Sequence, residues 1–265
     1  MAAGSRHVHL AYIAIFMPFT SIPLSLPRRV MADMCHVRLS VPLGVVRRTL
    51  NIAALSAARK NAAIKIPWSV LFSKAYSLVA AESPPLRRAY VKLPWPQLSQ
   101  ASRSIASVMI ERTWQGEAAL FPAKLKFPAE RSLVDLAEEL HTALTAPIEQ
   151  ITHFNVIMRL ARWPWPLRRL LWWLAFNVGA WRPGYYGTFG ISVIGHSGAM
   201  IDVPVSPLSN FISYGPFAAN GDVDVIMAFD HRVMDGSVIV QALGDLEAVL
   251  NGKIVDELKT IGMAV

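Results

Sequence analysis

The run Asp230-His231-Arg232-Val233-Met234-Asp235-Gly236 places one imidazole between carboxylates and beside a guanidinium. Imidazole is the side chain best matched to taking and returning a proton near neutral pH. Asp235, four residues after His231, is close enough to fix the local turn or to pair with a cation such as Arg232. The ordinary alternative is a packed turn histidine followed by a helix-start aspartate, and an isolated H-x-x-x-D-G does not separate the two. A second stretch, Tyr186-Gly187-Thr188-Phe189-Gly190-Ile191-Ser192-Val193-Ile194-Gly195, carries Ser192. A preorganised hydroxyl aimed at developing negative charge can lower a barrier by about 3 kcal/mol. A serine there also suits a strand edge for no chemical reason. His196, next along, is a second acid-base candidate that reads more simply as a loop residue.

The elements that must aim these groups can be read from periodicity. Val223, Val225, Met227 and Phe229 alternate along one face of a strand that runs into the motif. After Gly236, the positions Ile239, Ala242, Leu243, Leu246 and Leu250 recur at three and four, a helix for which Asn251-Gly252 supplies a stop. Asn220-Gly221-Asp222 reads as the hairpin turn before the strand. His231 therefore stands where a strand ends and a helix begins, a place that fixes a side chain yet leaves it reachable.

The full heptad resembles the D-H-R-x-x-D-G signature of the 2-oxoacid dehydrogenase acyltransferases, whose catalytic cores share a fold with chloramphenicol acetyltransferase. The Ser192 stretch is similar to that family's G-T-F-T-I-S-x-x-G strand, with Gly190 in place of a threonine. In the family the serine after the isoleucine donates to the oxyanion of the tetrahedral intermediate, and Ser192 matches it. The resemblance implies an α/β fold, a two-layer sandwich with a mixed β-sheet and helices on one face. It also implies acyl transfer with His231 as general base, Ser192 at the oxyanion, and Asp235 holding the turn and the imidazole tautomer. Coenzyme A or an acyl-CoA is the implied substrate, and an acyl carrier the alternative donor. The implied assembly is a homotrimer or a larger trimer-based particle, because the histidine and serine come from adjacent subunits.

Composition bounds the rest. Apolar residues make up 53% of the 265-residue chain, enough for a sizeable core and for a surface that meets a partner chain or a membrane. The formal charge of +8 favours an anionic partner such as coenzyme A, an acidic carrier or anionic lipid. No nucleic-acid-binding signature accompanies it, so no nucleic acid is expected. Cys35 is the single cysteine and the seven histidines show no H-x-x-x-H spacing, so no metal and no disulfide framework are expected. No lipoyl or subunit-binding domain is recognised, and no lipoyl group is expected on this chain. The expected location is cytoplasmic, with peripheral membrane contact as a variant.

Residues 1–27 read as an apolar extension interrupted by Pro18, Pro23 and Pro27, ahead of a catalytic domain over 28–265. Pro27 to Lys60 reads as strand and linker, then a helix capped by Asn51. A helix is expected over Trp68–Ala81, a hairpin over 105–126 turning at Gln115-Gly116, and a helix capped by Ser132 and continuing through Leu136, Leu140 and Leu144. His141 and His153 read as surface or packing residues. The least family-like stretch is 162–176, with four tryptophans among its arginines. It reads as a helix with an aromatic face and a cationic edge, suited to lying on lipid, lining an acyl pocket or covering a subunit contact. A non-catalytic or membrane-associated scaffold of the same fold remains the competing reading.

Overall fold

The computed structural model describes residues 20–192 and 198–263. Helix α1 (Leu26–Arg38) comes first, followed by strand β1 (Leu43–Asn51) and helices α2 (Ala53–Asn61) and α3 (Trp68–Glu82). A small hairpin, β2 (Arg88–Val91) and β3 (Gln97–Gln100), precedes the long hairpin β4 (Ile105–Trp114) and β5 (Glu117–Lys126). Then come helices α4 (Leu133–Thr145), α5 (Thr152–Leu160), α6 (Trp165–Asn177) and α7 (Arg182–Tyr186). Strands β6 (Phe189–Ser192), β7 (Asn210–Phe217) and β8 (Asp222–Asp230) lead to helices α8 (Gly236–Val249) and α9 (Val255–Met263).

Six strands form one sheet in the order β1-β8-β7-β6-β4-β5. It is mixed: β6 runs parallel to both β4 and β7, whereas β1, β5 and β8 pair antiparallel. The expected alternation of β8 is present, with Val223, Val225, Met227 and Phe229 all in the main core. Against that face lies α3, buried on almost every side, so its Lys74 must be neutralised inside. It donates to the Arg131 carbonyl (2.7 Å) and pairs with Glu257. Helices α4 and α8 flank it through Leu136, Leu140, Ile239, Leu243 and Leu246. Gln115 and Gly116 turn the long hairpin with φ of 50° and 85°, the left-handed pair such a tight turn needs.

The opposite face of the sheet is not bare. Helices α1, α5, α6 and α7 gather over its β5 end around a second cluster of Trp172, Phe176, Tyr186 and Leu208. Helix α1 occupies sequence expected as strand and linker, and its start at Leu26 lies just before the 27/28 boundary. Its residues are polar on average, but its buried Asp33 accepts from Arg168 Nε (2.7 Å) and Trp172 Nε1 (3.2 Å) on α6. Arg168, expected at an exposed cationic edge, is thus an internal tie. The insert forms one helix, as expected, but it starts at Trp165, behind Pro164 and clear of α5, which ends at Leu160.

Two local expectations change. Asn51 ends β1 and leaves the N-cap of α2 to Ile52, although its side-chain oxygen accepts from the Ala53 N–H (3.3 Å) and its amide donates to Asp222 (2.7 Å) across the sheet. Asn251-Gly252 does not stop the helix. The chain passes through one wide turn, Leu250–Ile254, into α9, because Leu250, Ile254, Val255 and Leu258 are all buried on continuing. Among the described residues no helix is long and apolar enough to cross a membrane.

His153 is a packing residue, as expected. Its ring lies edge-on to Phe154 (4.4 Å), and Nε2 is 3.0 Å from the Pro122 carbonyl. Burial first, then the neighbouring Lys124 and Lys126 charges, push its pKa down to about 4. A depressed histidine pKa favours the folded state fully above about 6.5, and that stability is lost as pH falls towards 4. Discounted for partial exposure, the loss should be on the order of 1–2 kcal/mol. His153→Gln keeps an amide donor for Pro122 and should flatten the decline of melting temperature across that window.

Candidate functional site

His231 is the first residue beyond β8, and its backbone is fixed from two sides. Its N–H donates to the Pro42 carbonyl (3.0 Å), and the N–H of Asp230 donates to Ser209 (2.9 Å). The side chain remains 54% exposed, so the imidazole is held at its base and open at its ring. It leans against Phe229, with ring centroids 4.8 Å apart.

Gly44 supplies the room for that arrangement. It sits opposite Phe229 on β1, and a Cβ there would come within 2.4 Å of Phe229 Cζ and 3.0 Å of His231 Cδ2. Phe229 belongs to the core and has little space to retreat. A glycine inside a strand often marks such a close approach, which is the signal sequence reading passed over. Gly44→Ala should shift both rings, lowering turnover by roughly 10- to 100-fold and stability by about 1–3 kcal/mol. Kinetics and thermal unfolding of that variant measure both.

Beneath the histidine lies a charge cluster that composition could not reveal. Asp230 is fully buried. Its carboxylate accepts from the Arg232 backbone N–H (3.0 Å), Nε (2.9 Å) and Nη2 (2.7 Å). Arg232 therefore pairs with Asp230, not with Asp235, and its guanidinium also covers the Tyr90 ring at 4.4 Å. Buried Arg182 joins them, donating to the carbonyls of Tyr90 (2.9 Å) and Pro207 (3.0 Å). Burial lowers its pKa to about 10, and the Asp230 charge counteracts the fall. A buried carboxylate paired with the Arg232 guanidinium fixes the turn rigidly, since removing one partner would strand a charge.

Asp235 is more remote than its motif position implies. Its carboxylate lies 3.6 Å from His231 Nδ1, beyond hydrogen-bond length, and is 83% exposed. It stands at the start of α8 without a side-chain capping bond.

Ser192 ends β6, half-buried, and pairs with Ser213 on β7, which in turn faces Ile226 on β8. His231 is five residues beyond Ile226. At about 3.3 Å per residue and two strand spacings of about 4.8 Å, their backbones stand on the order of 19 Å apart. One chain brings His231 near Asp235 and leaves Ser192 well away from both. His196 lies outside the described residues.

No family model and no curated protein sequence matches the chain. Its likeness to solved structures, in contrast, spans nearly all of it. A dihydrolipoamide acetyltransferase of Azotobacter vinelandii, whose structure addresses a serine, a histidine and an asparagine in its catalytic mechanism, superposes with a TM-score of 0.62. The two share 16% identity over 94% of this chain and 98% of that one. A probable dihydrolipoamide acetyltransferase of Listeria monocytogenes 4b F2365 gives 0.60 at 16% identity, covering 89% and 95%. A chloramphenicol acetyltransferase gives 0.50 at 12% identity, covering 86% and 98%. The fold is therefore that of the chloramphenicol acetyltransferase-like acyltransferases, the same group that the two sequence motifs resemble.

Proposed function

We propose that this chain is an acyltransferase that moves an acyl group from coenzyme A, or from a carrier thiol, to an acceptor thiol, hydroxyl or amine. Residues 28–265, extended back to Leu26 by α1, act as its catalytic domain. The observation that carries this reading is the combination of this fold with an open imidazole fixed at the end of β8.

In the proposed reaction His231 removes the proton as the acceptor attacks the thioester carbonyl carbon. The new bond forms, the carbonyl electrons move onto oxygen, and the Ser192 hydroxyl of a neighbouring copy donates to that oxyanion. Collapse breaks the carbon–sulfur bond, and His231 returns its proton to the departing thiolate. Asp235, held off at 3.6 Å, orients the ring and carries no proton. The separation of Ser192 from His231 within one chain supports a site completed by a second copy, in a homotrimer or a trimer-based particle. The serine and histidine of the Azotobacter vinelandii enzyme, with an asparagine four positions after the histidine, follow the same order as Ser192, His231 and Asp235.

The test is thiol release from a panel of acyl-CoA donors with thiol, alcohol and amine acceptors, alongside light scattering for the oligomer. Donor-dependent release by a trimer or a multiple of it supports the reading. A monomer with full activity would overturn the shared site.

A further inference from the structure

Resting on the acyl-transfer reading, we propose that the acyl group is a long aliphatic chain, housed on the Ser192 face of the sheet between α1, α5, α6 and α7. The argument starts at Gly190. A Cβ there would lie 2.4 Å from Phe211 and 3.2 Å from Leu208, so this face of β6 looks onto those two side chains. Ser192, two residues on, points the same way about 7 Å further along.

Leu208 and Phe211 belong to a narrow throat of about 70 Å³, which Met31, Met34 and Met109 also line. The β4–β6 register pairs Val108 with Ile191, so its next step places Met109 opposite Ser192. Methionine is unbranched and adaptable, suited to a passage through which chains of different shape must slide. Ile157, Trp172 and Tyr186 form the far wall of the throat and also line a second chamber of about 480 Å³. That chamber is walled mainly by Leu160, Trp163, Leu171, Leu174, Trp181 and Tyr185. Its volume lies within the range of small-molecule sites, about 300–1,000 Å³.

Four polar side chains also reach its wall, Lys124, Thr152, His153 and the exposed Arg159. Lys124 donates to the Gly184 carbonyl (2.6 Å), and burial lowers its pKa to about 8. His153 is uncharged at neutral pH. A throat lined by Met109, one register step from the oxyanion donor, and sharing a wall with a larger aromatic chamber fits a thioester whose carbonyl sits at Ser192 and whose tail runs inward. An acetyl group would leave both chambers empty. The tryptophan-rich insert thereby acquires its role: α6 supplies Trp172 to the partition and Leu171 and Leu174 to the chamber.

Calorimetric titration of the whole protein with acetyl-CoA and dodecanoyl-CoA tests this. Dodecanoyl-CoA should bind at least 100-fold more tightly, since ten further methylenes leave water. Ile157→Trp adds bulk at the wall that the two chambers share. It should weaken dodecanoyl-CoA at least tenfold and leave acetyl-CoA within about twofold. Equal affinity for the two donors, or equal dodecanoyl affinity in the variant, would overturn the proposal; chambers filled by a second copy of the chain would give that same result. Tight, variant-sensitive dodecanoyl binding without turnover in the donor panel would instead overturn the transfer chemistry alone.

Discussion

Replacing His231 with alanine should lower acyl-CoA-dependent thiol release by at least about 100-fold, the usual worth of a positioned general base. The melting temperature should move by only a few degrees. The asymmetry follows from the geometry. The imidazole is 54% exposed, so its removal opens no sealed cavity. The turn itself is fixed by Asp230, Arg232 and Arg182, which remain in place. Asp235→Asn should cost less than about tenfold, because a side chain that is 83% exposed and 3.6 Å from Nδ1 orients the ring only weakly. Steady-state kinetics across the donor panel reads both effects. Unchanged rates in His231→Ala would make the histidine a structural residue and sink the proposed chemistry.

The second large effect is complementation. Ser192→Ala and His231→Ala proteins should each be nearly inactive, the first by roughly 100- to 1,000-fold if its hydroxyl is the oxyanion donor. Unfolded together and co-assembled in equal amounts, they should recover about a quarter of wild-type activity. A shared site works when one subunit gives an intact histidine and the next an intact serine, a chance of about one in four at random mixing. This follows from the separation of about 19 Å, which no rotamer change within one chain can close. If both groups served one chain, the mixture would stay as inactive as its parts. Simple mixing of the preassembled proteins, without unfolding, is the control that should show no recovery.

The local elements around the motif were legible because their signals are local. Alternation of Val223, Val225, Met227 and Phe229 marks β8, and these residues lie in the core. Ser132 caps α4 by accepting from the Asp135 N–H (3.1 Å), as its spacing implied. Departures came where a distant partner outweighed a local preference. Asn251-Gly252 is a stop in isolation, but burial of Ile254 and Leu258 carries the helix past it. Arg168 reads as a surface cation until Asp33, 135 residues earlier, neutralises it inside.

By itself the sequence determined the strand-to-helix junction that presents His231, because hydrophobic period and turn residues act over a few positions. It also determined, through its two motifs, the fold those junctions belong to. Only the tertiary structure decided the rest. It joined Arg232 to Asp230 rather than Asp235, set Gly44 beneath the imidazole, and made Trp163, Leu171 and Leu174 of the insert the wall of an apolar chamber. It also parted Ser192 from His231. Each of these depends on strand order and on which faces meet, and pairings between residues far apart in sequence leave no periodic trace in the chain.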